Sequence, residues 1–245
     1  MSETLLAVDN LAAGYEPGIP IVRGVTFGVA RAEIVAVLGP NGAGKSTLIR
    51  AIVGLLPKFS GSVRLLDRDI TSAETHDLAR DGLGYVPQTD NVFTLMSVAD
   101  NLRIAADILP KNQRLARMDA MYRMFPDLER LRRLHAGRLS GGQRQMLAIA
   151  RALIPMPHIL LLDEASAGLS PKLVGEVFSK LSRIRDEGVT VLIVEQNTRA
   201  ALKLADRAII LSEGGIVHKG DSKELANDPA IARLLLGLAP AEGAA

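Results

Sequence analysis

The run Gly39-Pro40-Asn41-Gly42-Ala43-Gly44-Lys45-Ser46-Thr47 constrains the fold more than any other part of the chain. It follows five apolar residues, Ile34 to Leu38, which have the length of a buried strand, and it leads into the stretch Leu48 to Leu56, which reads as a helix. A glycine-rich loop at a strand-to-helix junction has a definite chemistry. Glycines let successive backbone N–H groups converge on an oxyanion, and the helix N-terminus adds partial positive charge. Lys45 is placed to reach the outer phosphates of a nucleotide, and the Ser46 hydroxyl can ligate magnesium. The expected ligands are therefore a nucleoside triphosphate and Mg2+, with Gly39 to Thr47 forming the phosphate cradle.

A second segment supplies carboxylates. Ile159 to Leu162 reads as a buried strand that ends in Asp163-Glu164, and parallel strands deliver functional groups at their carboxyl ends. Asp163 is suited to hold magnesium, and Glu164, one residue further, to polarise an attacking water. A third segment, Leu139-Ser140-Gly141-Gly142-Gln143, precedes Arg144 to Ile154, where Met146, Leu147, Ile149, Ala150 and Leu153 recur at helical spacing. This places Ser140 and the two glycines at a helix N-terminus, a second site that attracts anions.

Taken together, these segments make the sequence similar to the ATP-binding subunits of ATP-binding cassette (ABC) transporters, in which the 139–143 pentapeptide is the signature. The resemblance runs from about Leu5 to Leu238 with the motifs in family order. It implies an α/β chain with a P-loop NTPase (RecA-like) core, a small antiparallel β lobe and a helical lobe. The expected organisation is a single domain over 1–245, with the β lobe within about 1–70 and the helical lobe at about 89–153. Strands are expected at Leu5 to Val8, Ile21 to Val29 and Ser62 to Leu66 in the β lobe. In the mostly parallel core they fall at Ile34 to Leu38, Leu83 to Val86, Ile159 to Leu162, Val189 to Val194 and Ala208 to Leu211. Ile216-Val217 and a helix from Ala230 to Leu236 complete the fold.

The resemblance also assigns roles that the residues alone do not. Gln88, in Tyr85-Val86-Pro87-Gln88, corresponds to a glutamine that touches magnesium and the attacking water. Tyr15 corresponds to an aromatic that stacks on adenine. Two subunits of this family clamp two ATP molecules head to tail, so Lys45, Asp163 and Glu164 of one chain would meet Ser140 and Gly142 of the other, with Gly141 and Gln143 beside them. Hydrolysis by one chain alone is then expected to be weak.

At three positions the sequence departs from the family pattern. Gln196, in Glu195-Gln196-Asn197, stands where a histidine usually contacts the γ-phosphate, and none of the histidines at 76, 135, 158 and 218 is near it in sequence. Glutamine can donate a hydrogen bond but carries no charge, so a slower site is expected. Ser170 replaces an aspartate common at the dimer seam, and Ala165 replaces a proline. Val194-Glu195-Gln196-Asn197 with Gly168-Leu169-Ser170-Pro171 is similar to one of the two ATPase subunits of importers for branched-chain and other hydrophobic amino acids. Urea and short-amide importers share this pattern, whereas a related lipopolysaccharide-export subunit usually keeps the histidine.

Composition narrows the partners. The net charge is only +2, and the arginines at 130, 132, 133 and 138 read as a solvated helix face with no aromatics interleaved to stack bases, so no nucleic-acid partner is expected. Zero cysteines suit a reducing compartment. No run approaches the roughly 18 apolar residues of a membrane span, and no basic segment followed by an apolar core opens the chain. The expectation is a peripheral protein at the cytoplasmic face of the cell membrane. Its partners would be membrane-spanning permease subunits, a second ATPase subunit in a heterodimer or homodimer, and, indirectly, an extracytoplasmic solute receptor. Val92 to Leu95, with Phe93 and Met96, is the candidate permease contact. A cytosolic cassette acting on DNA or ribosomes usually carries coiled-coil insertions or a second cassette, and this chain has neither. A guanine-specific switch protein would need an Asn-Lys-x-Asp motif, which does not occur.

Overall fold

The structure is a computed structural model and describes residues 3–229 and 231. Among the described residues ten strands form: β1 (Thr4–Ala13), β2 (Val22–Ala30), β3 (Ile34–Leu38), β4 (Lys58–Leu65), β5 (Arg68–Asp69), β6 (Leu83–Val86), β7 (Ile159–Asp163), β8 (Thr190–Val194), β9 (Arg207–Ser212) and β10 (Gly215–Asp221). The helices are α1 (Lys45–Ile52), α2 (Thr75–Leu78), α3 (Val98–Ala106), α4 (Lys111–Met124), α5 (Pro126–Arg130), α6 (Gly141–Leu153), α7 (Pro171–Asp186), α8 (Thr198–Leu204) and α9 (Ser222–Ala226). None of them is long and apolar enough to cross a membrane.

Two sheets form. A four-stranded antiparallel sheet runs β2-β1-β4-β5, and a six-stranded sheet runs β10-β9-β3-β8-β7-β6. In the larger sheet β9, β3, β8, β7 and β6 are parallel, and β10 returns antiparallel at the edge. All residues of β3, β7 and β8 are buried, because both faces of the sheet are covered. Side chains then alternate between two cores. Ile34, Ala36, Leu38, Leu160, Leu162, Val191 and Ile193 point into one, with the apolar faces of α3, α6 and α7. Val35, Val37, Ile159, Leu161, Leu192 and Val194 point into the other, with α1 and the antiparallel sheet.

All the expected strands form, with some shifts at their ends. β1 extends to Ala13, well past Val8, because it pairs with β2 on one side and β4 on the other through bulges near Asn10, whose φ is 45°. The helix expected to reach Leu56 stops at Ile52. Gly54 takes a left-handed φ of 77°, its N–H bonds Ala51 O (3.2 Å), and Leu55 N–H reaches back to Arg50 O (2.8 Å), the paired bonds of a Schellman ending. The helix expected over Ala230 to Leu236 lies, but for Ile231, outside the described residues.

Of the candidate permease contact, Val92 is buried in the core while Phe93, Leu95 and Met96 are exposed. The Arg151 guanidinium lies 4.5 Å from the centroid of the Phe93 ring. The arginines at 130, 132, 133 and 138 are all exposed, and Arg130 pairs with Asp127 one turn earlier.

Candidate active site

The order β3-β8-β7-β6 sets four strand ends side by side, and each is followed by a residue singled out from sequence. After β3 the loop turns into α1 and carries Lys45 to the edge of the cradle. Lys45 is only 5% exposed, and its ammonium donates to the carbonyls of Gly39 (2.9 Å) and Pro40 (3.0 Å). Burial pushes its pKa below the ordinary lysine value, against the opposing pull of Glu164 and Asp163. A buried ammonium held by two neutral carbonyls is short of negative partners, which suits a phosphate ligand.

Ser46 Oγ donates to Asp163 Oδ1 at 2.9 Å, joining α1 to the end of β7. The other oxygen, Asp163 Oδ2, is buried without a hydrogen-bond partner and lies 3.8 Å from Arg50 Nε. Burial raises the Asp163 pKa, opposed by the Ser46 hydrogen bond and by Arg50. A hydroxyl and a carboxylate with an uncommitted oxygen form a hard, all-oxygen pair that fits magnesium. Among the described residues no group of three or more His, Asp or Glu stands together as a metal cage. A cation here would complete its shell with phosphate oxygens and water, the usual arrangement for magnesium.

Glu164 follows in a left-handed conformation, φ 51°, which costs a non-glycine residue roughly 1–2 kcal/mol. Its N–H donates to Val194 O at 2.9 Å. Its carboxylate is gripped from both sides: Gln88 Nε2 donates to Oε2 (2.6 Å) and Gln196 Nε2 to Oε1 (2.8 Å). The side chains of Gln88, Glu164 and Gln196, each from a different strand end, therefore meet in one cluster. Asn41, Gly42, Gly44, Lys45, Ser46, Thr47, Glu164 and Gln196 line a common cavity of about 340 Å³, within the roughly 300–1,000 Å³ of small-molecule sites. No histidine is among them.

Tyr15 is half exposed, and its hydroxyl accepts from Arg50 Nη1 at 3.3 Å. Burial and the nearby Asp163 carboxylate push the pKa of Tyr85, on β6, up to about 12, so its hydroxyl stays protonated. The structure brings Ser140, Gly141, Gly142 and Gln143 together at the start of α6 but not into the cradle. Ser140 Oγ accepts from Gln143 N (3.3 Å) and Gln143 Oε1 accepts from Ser140 N (3.0 Å), a closed capping box. Gly142 is buried, and a Cβ added there would lie 2.9 Å from Leu173 Cδ2 on α7. Ser140, Gly142 and Gln143 line a separate cavity of about 770 Å³ against α5 and α7.

Sequence reasoning overlooked Arg50 at the cradle and, behind it, Glu195 and Ser166. Arg50 lies one helical turn beyond Ser46, so i,i+4 spacing on α1 could have pointed to it. Glu195 is 1% exposed, and its carboxylate accepts from Ser166 N (2.9 Å) and from Ser166 Oγ (2.6 Å). Burial raises its pKa, against the Ser166 bonds and the backbone N–H groups of Asn197 and Gln196. No sequence signal joins residues 166 and 195.

The model of the ABC transporter family matches residues 22–167, more than half of the chain. The "Probable branched-chain amino acid transport ATP-binding protein LivF" of Archaeoglobus fulgidus is 40% identical, the match covering 96% of this chain and 99% of that protein. The "Lipopolysaccharide export system ATP-binding protein LptB" of Acidithiobacillus ferridurans is 39% identical, the match covering 97% and 98% of the two chains. Among solved structures, an ATP-binding cassette of an ABC transporter in its ADP conformation superposes with a TM-score of 0.84 at 28% identity, over 96% of this chain and 100% of that one.

Proposed function

The chain belongs to the ABC transporter family as an ATP-hydrolysing cassette with the P-loop NTPase fold, and we propose that it energises import of branched-chain or other hydrophobic amino acids. The observation that carries the ATPase site is the grip of Gln88 and Gln196 on Glu164 beside Lys45. In this reading the backbone of Gly39, Pro40, Asn41, Gly42, Ala43, Gly44, Lys45, Ser46 and Thr47 receives the phosphates of ATP, and Lys45 exchanges its two carbonyl partners for the outer phosphates. Ser46, Asp163 and Gln88 hold magnesium, which supplies charge neutralisation at the phosphates when bound. Glu164 orients the water and accepts its proton, and Gln88 and Gln196 fix the carboxylate until substrate arrives. Gln196 then donates to the γ-phosphate, and Tyr15 turns its ring to the adenine.

Ser140, Gly141, Gly142 and Gln143 serve the ATP held by a second ATPase subunit. Their absence from this chain's own cradle supports that division of labour. The whole of 1–245 is then one cassette, with the β lobe within about 1–70 and the helical lobe at about 89–153. It is peripheral at the cytoplasmic face of the membrane, with Phe93, Leu95 and Met96 toward permease subunits and a solute receptor on the far side. The import reading rests on Gln196 in place of histidine and on the LivF relative; the export protein LptB is similar to nearly the same degree.

The first test is ATP hydrolysis as a function of chain concentration, alone and with a candidate second ATPase subunit. A rate rising with the square of concentration would make the homodimer self-sufficient, and near-zero activity rescued by the partner would establish the heterodimer. Uptake into proteoliposomes carrying the assembled complex then decides the solute. Leucine uptake supports the proposal. Urea or acetamide uptake without leucine, or outward movement of lipopolysaccharide, overturns it.

A further inference from the structure

Glu195 is a buried carboxylate for which the site chemistry above has no use. It belongs to the turn after β8, where Gln196 projects to the cradle, but its own side chain faces away from the cavity and into the loop that follows β7. There Ser166 reaches both carboxylate oxygens, through its backbone N–H at 2.9 Å and its hydroxyl at 2.6 Å, beside the backbone N–H groups of Gln196 and Asn197. Ser166 is itself only 7% exposed.

The loop so held is the strained one. Glu164 sits at φ 51°, a conformation that persists only where its surroundings enforce it. The enforcing bonds come from two consecutive residues at the end of β8: Val194 O receives Glu164 N–H at 2.9 Å, and the Glu195 carboxylate receives Ser166. Within the loop, Ala167 N–H returns to Glu164 O at 3.1 Å. The Glu195 backbone is in turn fixed to the sheet, its N–H bonding Val37 O at 3.2 Å on β3. A rigid strap thus runs from β3 through Glu195 to the loop that aims Glu164, away from solvent and from the nucleotide cavity.

We propose that Glu195, acting through Ser166, is a positioning residue for hydrolysis: it holds the left-handed turn that aims the Glu164 carboxylate. This rests on the reading of Glu164 as the group that orients the water and accepts its proton. Its function is geometric, so the two hydrogen bonds matter more than the charge. Glutamine at position 195 can still accept from Ser166 N–H through Oε1 and donate its amide to Ser166 Oγ.

The test compares kcat and ATP affinity in the assembled complex for Glu195→Ala, Glu195→Gln, Ser166→Ala and Glu164→Gln, with trinitrophenyl-ATP as the binding probe. Loss of the strap in Glu195→Ala is expected to lower kcat by about 10–100-fold, the scale of a misplacement near one ångström, while the Kd for the probe changes by less than about twofold. Glu195→Gln is expected to restore kcat to within about threefold of the natural chain, and Ser166→Ala to fall between. A Glu195→Ala complex that keeps its kcat beside an inactive Glu164→Gln complex overturns the positioning role and leaves the Glu164 reading intact. So does an equal loss of kcat and probe affinity, which marks a fold defect, or a Glu195→Gln variant as slow as the alanine. If Glu195→Ala does not fold, Ser166→Ala decides alone: reduced kcat at unchanged Kd supports the strap, and unchanged kcat overturns it. Undiminished turnover in Glu164→Gln removes the underlying reading and the strap with it.

Discussion

The phosphate cradle and the start of α6 both offer a helix N-terminus to an anion, but they are finished in different ways. At the cradle, Ser46 bonds Asp163 across 117 residues of sequence, Gln88 bonds Glu164 across 76, and Gln196 bonds Glu164 across 32. At α6 the polar groups bond only across three residues, Ser140 to Gln143 and back. One region is a set of long-range contacts that preorganise charge around a cavity. The other is a self-contained cap that presents its N-terminus outward, held from behind by Leu173 against Gly142 and Leu169 beside Gly141. On the proposed reading the first binds a nucleotide within one chain, and the second serves phosphate that another molecule carries to it.

The difference can be broken most forcefully at the cradle. Replacing Glu164 by Gln is expected to leave ATP bound while turnover of the assembled complex falls by about 10²–10⁴-fold, the range for losing a positioned proton acceptor, as single-turnover hydrolysis would measure. Lys45→Ala acts on binding instead, weakening ATP by about 10–10²-fold in a fluorescence titration of the isolated chain, as loss of a charged hydrogen bond predicts.

The signature end should answer in the opposite manner. Gly142→Ala brings a Cβ to within 2.9 Å of Leu173 Cδ2, so the Leu173 side chain or the start of α6 must shift. Turnover of the complex is expected to fall by about tenfold, with ATP affinity of the isolated chain unchanged. Adding Leu173→Ala should recover part of the loss. A matching drop in the isolated chain's affinity would mean that the two regions communicate within one chain, against the division drawn here.

Smaller effects sharpen the account of the cradle. Gln196→His, which restores a chargeable donor opposite Glu164, is expected to give equal or faster turnover, checked in the steady-state assay. A large loss would show that the amide is specifically fitted to Glu164. Glu195→Gln carries the smallest expected effect, on the pH dependence of stability. Burial raises the folded-state pKa of Glu195 above the ordinary glutamate value, so the folded chain holds its proton more firmly than the unfolded one. Such a group lowers stability as pH climbs from the unfolded value through the folded one. The natural chain should therefore lose melting temperature relative to Glu195→Gln as pH rises from 4 to 7, by a few degrees at most for a domain of this size, in a scanning calorimeter. A gap that narrows toward pH 7 would contradict the sign.

Much of the site could be read directly because its motifs are local. Gly39 to Thr47 makes a loop wherever an apolar strand precedes it, and Asp163-Glu164 ends a strand whose five residues are all buried. The signature pentapeptide could be recognised as a cap, since Ser140 and Gln143 satisfy each other three residues apart. Helix ends were harder: α1 stops at Ile52 because Gly54 turns left-handed, and the apolar Leu55 and Leu56 beyond it mimic a continuing helix. β1 ran longer than its alternation suggested because partners on both sides carry it through a bulge.

The amino-acid sequence by itself determined the nucleotide cradle, the buried strands on either side of it and the capped start of α6, since each depends on contacts within a few residues of chain. Only the tertiary structure decided that Gln88 and Gln196 would grip Glu164 from opposite sides, that Asp163 would keep one oxygen uncommitted beside Ser46, and that Glu195 would reach Ser166. The reason is the strand order. Setting β3, β8, β7 and β6 edge to edge at the roughly 4.8 Å spacing of a sheet brings four distant strand ends within side-chain reach, and no local pattern records which strands will be neighbours.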